Sequence, residues 1–203
     1  SMKNDFIGET PNGESLKISV PPTLLISALA KMDNVEDFMT SDFKSAGDLV
    51  FHIGAPHFNE QFFSTHNHTC LKHAPISLDT NKAIFHSIHK LIKNRVINSC
   101  HDISEGGLVT ALIESSFAQG LGVEFDQNLI DKGEDFEALL FNELSGSFII
   151  SISPNQEEEL KNLLSGIHHR KLGVITDKPS IKYQGKIDLN TNELFSIWSQ
   201  DEY

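Results

Sequence analysis

HDISEGGLVTALIESSFAQGLGVEF, residues 101–125, is the stretch on which the reading of this chain turns. A histidine and an aspartate run through a serine and a glutamate into two adjacent glycines, and a helical pattern begins only after them. Just upstream, VINSCH (96–101) has the character of a short strand. Leu108 to Gln119 then reads as a helix with Gly120 as its C-terminal stop. Its apolar residues at 108, 109, 111, 112, 113 and 117 cover more than one face, which predicts a well-buried helix. A strand that ends in an aspartate and turns through glycines into a helix brings three useful things together. The helix start offers unpaired amides, glycine lets a ligand approach the backbone, and the carboxylate can hold a divalent cation that bridges to phosphate. Asp102 is therefore the best metal candidate in the chain. Ser104 stands where a cap hydroxyl or a phosphate contact belongs, and Gly106 and Gly107 would supply amides. Residue types alone leave a second reading equally open, in which Ser104 only caps the helix and the glycines only permit tight strand-to-helix packing. His101, at a strand end, reads as hydrogen-bonded scaffolding ahead of catalyst.

Working outward, SMKNDFIGETPNGES (1–15) is polar and rich in turn formers, and reads as an extended arm from an upstream domain. The rest, 16–203, reads as one domain. LKISV (16–20) alternates, and TLLISALAKM (23–32) is apolar enough for a buried strand or a short helix, which periodicity cannot separate. LVFHIG (49–54) has the look of a central strand closed by Gly54. Residues 55–78, rich in His, Phe and Asn, read as a long surface loop. Asp79 or Thr80 can cap a helix ending near Asn94 that buries Ile84, Phe85, Ile88, Leu91 and Ile92. Residues 125–143 predict one or two short helices and SFIISI (147–152) a strong strand. Ser153-Pro154-Asn155-Gln156 predicts a capping box, followed by a helix with three glutamates in its first turn, where the dipole favours them. KLGVIT (171–176), SIKY (180–183) and KIDL (186–189) predict strands, the last two joined at Gln184-Gly185, and a short helix ends the chain.

The totals bound the function. With 203 residues the chain can bury a sizeable core, and 39% apolar with 22% charged residues is ordinary for a folded domain. A net charge of −12, with no run among its 16 Lys and Arg, argues against nucleic acid as a partner. A phosphate would instead be held locally, by amides or a bridging cation. Cys70 and Cys100 lack zinc-like spacing and suit a reducing, cytoplasmic setting. No stretch approaches the roughly 20 apolar residues of a membrane span, so no membrane partner is expected. His57, His66 and His68 share one loop and are not preorganised for a metal, while His86 and His89, three apart on a helix, read as solvent-exposed.

At this point the residues resemble a family. The opening quotation is similar to the segment that recurs as HDxS(D/E)GGL in the C-terminal AIRS-type domains of phosphoribosylformylglycinamidine synthase. PPTLLISALAKMDNVEDFMTSDFKSAGDLVFHIG resembles the same family's first strand, its MDDV turn and its AGDLVY strand, and LFNELSGSFIISI resembles its LF-x-E-x-x-x-R strand. SMKNDF resembles the segment after a glycine-rich GKDS loop, which would make Ser1 that loop's serine. The resemblance runs over about residues 1–198. It implies an α+β fold, a mixed β-sheet flanked by helices, partly ferredoxin-like, of the AIR synthase C-terminal type. It also implies part of a ligase that forms a C–N bond with ATP, glutamine and magnesium in purine biosynthesis. By the same resemblance Asp102 corresponds to a magnesium ligand and Ser104 to a contact with a bound ATP or ADP. Gly106, Gly107 and Ser1 complete the expected nucleotide site, with no catalytic residue in this chain. The expected partners are an upstream AIRS N-terminal-type domain, a glutaminase domain or subunit, and a small-molecule nucleotide. Two departures are visible: Ser147 stands where many relatives carry arginine, and FFSTHNHTCLKHAP replaces a loop that usually reads like GGSEY. The chain alone is expected to be inactive. A structural domain with an architectural nucleotide site, or a relative such as aminoimidazole ribonucleotide synthetase, is the alternative.

Overall fold

The computed structural model describes residues 5–19, 25–55, 77–130, 132 and 134–200. Ser1 and the histidines at 57, 66 and 68 therefore lie outside the described residues, as does most of the loop expected at 55–78. The chain divides into two compact units, Ser1–Val35 and Glu36–Tyr203.

In the first unit, β1 (Asp5–Glu9) and β2 (Ser15–Ser19) pair antiparallel, with Asp5 opposite Ser19 and Glu9 opposite Ser15. The arm and the strand expected on either side of residue 15 are thus the two legs of one hairpin. Pro11, Asn12 and Gly13 supply the turn chemistry, with Gly13 at φ 79° donating to the Thr10 carbonyl at 2.9 Å. Residues 25–34 hold neither helix nor strand, and Leu25, Ile26 and Leu29 are exposed. The expectation that this apolar run is buried is corrected: apolar composition asks for a partner surface but does not provide one.

The second unit is built on one seven-stranded sheet. Its strands are β3 (Leu49–Ile53), β4 (Ser99–Asp102), β5 (Gly122–Phe125), β6 (Phe148–Ile152), β7 (His169–Thr176), β8 (Ser180–Tyr183) and β9 (Ile187–Asn190). The order is β4-β6-β3-β7-β5-β8-β9, antiparallel throughout except for the parallel pair β5–β8. The helices are α1 (Leu78–Lys93), α2 (Gly107–Phe117), α3 (Phe136–Phe141), α4 (Glu157–Leu163) and α5 (Thr191–Trp198). The fold is α+β with a mixed sheet, as the sequence leads one to expect.

Two cores lie against the sheet. Leu108, Ala111, Leu112, Leu139 and Leu140 of α2 and α3 cluster with Val50, Ile149, Leu172 and Val123. Ile84, Ile88 and Leu91 of α1 and Leu160 of α4 cluster with Leu49, Phe51, Ile53, Ile150 and Ile152. Alternate residues of β3 and β6 enter different clusters, so these central strands are covered on both faces, which is why LVFHI and FIISI read as continuous rather than alternating runs. On α1, Phe85 departs from the expected buried stripe: it is 50% exposed and meets Phe148 edge-on, with centroids 5.8 Å apart.

Several helix starts differ from expectation. The N-cap of α1 is Ser77, whose Oγ accepts from the Thr80 amide at 3.3 Å, rather than Asp79 or Thr80. At 153–156 Ser153 is the N-cap with Pro154 at the first position, as expected, but no capping-box bond forms. Residues Pro154–Gln156 make a 3-10 turn before α4, and the Ser153 hydroxyl accepts from Asn98 Nδ2 at 3.2 Å. Among the described residues of 125–143 the helix is α3, Phe136–Phe141, as one of the two expected outcomes, while Phe125 ends the strand β5, which β7 and β8 pair from either side.

Candidate functional site

The aspartate of the opening motif is the last residue of β4, at the edge of the sheet and opposite Phe148 of β6. Strand alternation sends Cys100 and Asp102 to the α1 side and His101 to the α2 side. The Asp102 side chain is 65% exposed. It opens onto a cleft of about 430 Å³ whose walls include Phe85, Ser104, Glu143, Gly146 and Phe148. Burial, helped by the negative charge of Asp102, pushes the Cys100 thiol up to about 12, so Cys100 is an inert neighbour.

His101 is tied into the frame on the other face. Its Nδ1 lies 2.8 Å from the Asp102 carbonyl oxygen and its Nε2 lies 3.1 Å from Glu114 Oε2 of α2. These contacts join β4 to α2 and match the scaffolding role expected for this histidine. His86 and His89 are exposed on α1, also as expected.

The turn between β4 and α2 is closed by two left-handed residues, Gly106 at φ 77° and Gly107 at φ 75°. Gly106 is the N-cap of α2, with no side-chain cap bond, so the expectation that Ser104 caps the helix is corrected. A left-handed glycine leaves the helix two residues later than a serine cap would have done. Ser104 instead is exposed and lines the cleft, and its carbonyl accepts from the Gly107 amide at 3.1 Å. The Gly106 amide donates to Glu143 Oε1 at 3.1 Å. The two glycine amides expected to be bare therefore both have acceptors. The close-packing role weighed for the glycines is also visible: a Cβ on Gly107 would stand 2.7 Å from the Phe141 carbonyl carbon and 2.8 Å from the Leu140 oxygen.

Glu143 was not among the expected site residues. It lies 37 positions from Gly106, and only its place in the LFNE segment could have marked it. The segment that carries it wraps the turn, since Ser147 donates its amide to the Leu144 carbonyl at 3.0 Å and accepts from the Ile103 amide at 2.9 Å. Asp102, Glu105 and Glu143 are the charged residues that line the cleft, and Ser147 brings no positive charge to it. Among the described residues no group of three or more His, Cys, Asp or Glu side chains converges to hold a metal. The donors nonetheless fit a hard cation that keeps its waters, takes one or two carboxylates and completes its shell from a ligand's phosphate oxygens. Among the described residues no helix is long and apolar enough to cross a membrane.

Comparison with known proteins places this geometry among relatives. The family described as AIR synthase related protein, C-terminal domain, matches residues 46–186. The phosphoribosylformylglycinamidine synthase subunit PurL of Carboxydothermus hydrogenoformans is 32% identical over 176 residues, covering 81% of this chain and 23% of that protein. The subunit of the same name from Prochlorococcus marinus is 30% identical over 209 residues, covering 91% of this chain and 26% of that protein. The chain thus spans about a quarter of the length of these relatives. Among solved structures, Thermotoga maritima PurL complexed with ATP superimposes with a TM-score of 0.63 at 10% identity, over 79% of this chain and 27% of that one. The same protein complexed with ADP gives 0.62 at 10% identity, over 79% of this chain and 27% of that one. Escherichia coli HypE, a hydrogenase maturation protein, gives 0.53 at 15% identity over 75% of this chain and 51% of that one. These structural likenesses bear on the fold.

Proposed function

The chain belongs to the AIR synthase related protein, C-terminal domain, family, and from that premise we propose that it works as the C-terminal-type domain of a phosphoribosylformylglycinamidine synthase. It is homologous to the PurL subunit of that name. The proposed activity is the ATP- and glutamine-dependent formation of formylglycinamidine ribonucleotide in purine biosynthesis. The observation that carries the reading is the exposed Asp102 carboxylate at the end of β4, opening with Ser104 onto a cleft beside the start of α2. The PurL structures that share the fold are described as complexed with ATP and with ADP, which supports a nucleotide as the ligand.

In this proposal Asp102 holds magnesium through its carboxylate, Ser104 offers its hydroxyl to the nucleotide, and the Gly106–Gly107 turn keeps the backbone low enough for phosphate to approach. Magnesium, when bound, neutralises phosphate charge and bridges it to the protein. Ser1 belongs to the proposed site by resemblance only. The chain contributes one wall and no reacting group, so it is inactive alone and needs an upstream AIRS N-terminal-type domain and a source of ammonia from a glutaminase domain or subunit. The solved T. maritima PurLQS assembly supports partners of this kind. A reducing, cytoplasmic setting goes with such an enzyme.

Calorimetric titration of ADP with and without magnesium tests the proposal, on the chain alone and on the chain joined to the upstream domain of a PurL relative. Magnesium-dependent binding that Asp102→Ala removes is expected, and absence of binding in both forms overturns the reading. A second reading, a structural domain whose nucleotide site is architectural, is favoured by one observation: among the described residues the charged lining of the cleft is wholly acidic. Full turnover of the whole enzyme, glutaminase included, after Asp102→Ala would select it.

A further inference from the structure

We propose that Phe85 and Phe148 form a seat for a flat aromatic base, so that the cleft takes its nucleotide by the base as well as by the phosphates; this rests on the nucleotide reading above. Phe85 belongs to the apolar pattern of α1, yet 50% of its surface is exposed, whereas Ile84, Ile88 and Leu91 of the same helix are buried. Its ring meets the Phe148 ring edge-on, with centroids 5.8 Å apart and planes at 80°. An edge-to-face contact uses at most one face of either ring. Both residues line the cleft of about 430 Å³ onto which Asp102 and Ser104 open.

Their placement follows from the elements that carry them. Phe148 opens β6 directly opposite Asp102 of β4, so the two side chains leave the sheet on one face, about 5 Å apart. Phe85 stands one ring beyond Phe148. From the carboxylate to the outer ring is thus roughly 10 Å, a distance comparable with the span between the terminal phosphate of a nucleoside diphosphate and its base. Four residues before Phe85, and on the same side of α1, the Asn81 carboxamide lies 2.6 Å from where a Cβ on Gly146 would stand. The missing side chain at Gly146 therefore lets α1 sit close against the 143–147 segment, which holds Phe85 at the cleft wall. Ile103 adds apolar lining, and Ser104 and Ser145 add hydroxyls suited to the polar edge of a base or to its ribose. Stacking on such a ring is open to any base, because every base has a π-face.

The test uses whichever form binds ADP in the titration above. Magnesium with ADP probes base and phosphates together, and magnesium with inorganic pyrophosphate probes the phosphates alone. The unaltered protein is compared with Phe85→Leu, which keeps apolar bulk and loses the ring, and with Phe85→Tyr, which keeps the ring. Calorimetry gives the affinities, and NMR follows the adenine ring protons. Those protons should move upfield on the unaltered protein and on Phe85→Tyr. Phe85→Leu should lose the upfield shift and bind magnesium-ADP about tenfold or more weaker, as the loss of one base stack would give, with magnesium-pyrophosphate binding unchanged. Phe148→Leu takes its place if that variant does not fold. Equal magnesium-ADP affinity and equal proton shifts in the leucine variant overturn this inference and leave the nucleotide reading standing. An equal weakening of ADP and pyrophosphate overturns it too, because the ring then only props the wall. If no form binds ADP, the nucleotide reading falls and takes this inference with it.

Discussion

His52 lies within β3 with no exposed surface, and burial, reinforced by the nearby His168 and Arg170, pushes its imidazole down to about 3. The unfolded chain takes up a proton at this residue below about pH 6.5, and the folded chain refuses it. The contribution of His52 is therefore whole above that pH and drains away as pH falls toward the folded value. Between pH 7 and pH 5 the loss is about 2 kcal/mol, a sizeable part of the roughly 5–15 kcal/mol that holds a domain together. His168 is shifted in the same direction, chiefly by its own burial, so the slope of the unaltered protein includes both residues. The replacement His52→Leu isolates the first, because leucine has similar bulk and cannot titrate. Urea unfolding followed by far-ultraviolet circular dichroism at pH 7, 6 and 5 should show the unaltered protein losing about 2 kcal/mol more than His52→Leu. Parallel losses in the two proteins would refute the reasoning, since a buried neutral imidazole cannot be absent from the proton balance.

Gly107→Ala should lower stability by about 2 kcal/mol or more, because φ 75° strains any side chain and the Phe141 carbonyl carbon blocks the methyl; thermal unfolding would measure it. Leu112→Ala, at a position with no exposed surface between α2 and the sheet, should cost about 2–5 kcal/mol in denaturant titration. Asp102→Asn, by contrast, should leave stability within about 0.5 kcal/mol, as expected for an exposed side chain, and a larger loss would make Asp102 a structural residue.

The parts of the fold that could be read from sequence are those decided by local pattern. Strands β3 and β6 announce themselves because continuous apolar runs suit strands covered on both faces, and α2 because its apolar residues go all the way round. Strand β5 escapes because Gly122–Phe125 is four residues long and becomes a strand through pairing with β7 and β8, both distant in sequence. Helix starts were legible only to within a few residues. A serine or aspartate nearby signals a cap, but the backbone decides which residue leaves the helix, as Gly106 does at α2. The same division runs through the candidate site. Asp102, Ser104, Gly106 and Gly107 are contiguous and stand out in one line of sequence. Glu143 reaches them from the far end of α3, and the acidity of the cleft is a property of the assembled walls that no single segment displays.

The position of β3 at the centre of the sheet has a consequence for biosynthesis. It is the first strand of the large unit to leave the ribosome, yet its neighbours β6 and β7 are not complete until residues 152 and 176. At translation rates of about 5–20 residues per second, LVFHI waits on the order of ten seconds with both edges open. Such a delay favours a nascent chain that is shielded by a chaperone, and it makes slowed elongation across 54–147 a hazard for aggregation.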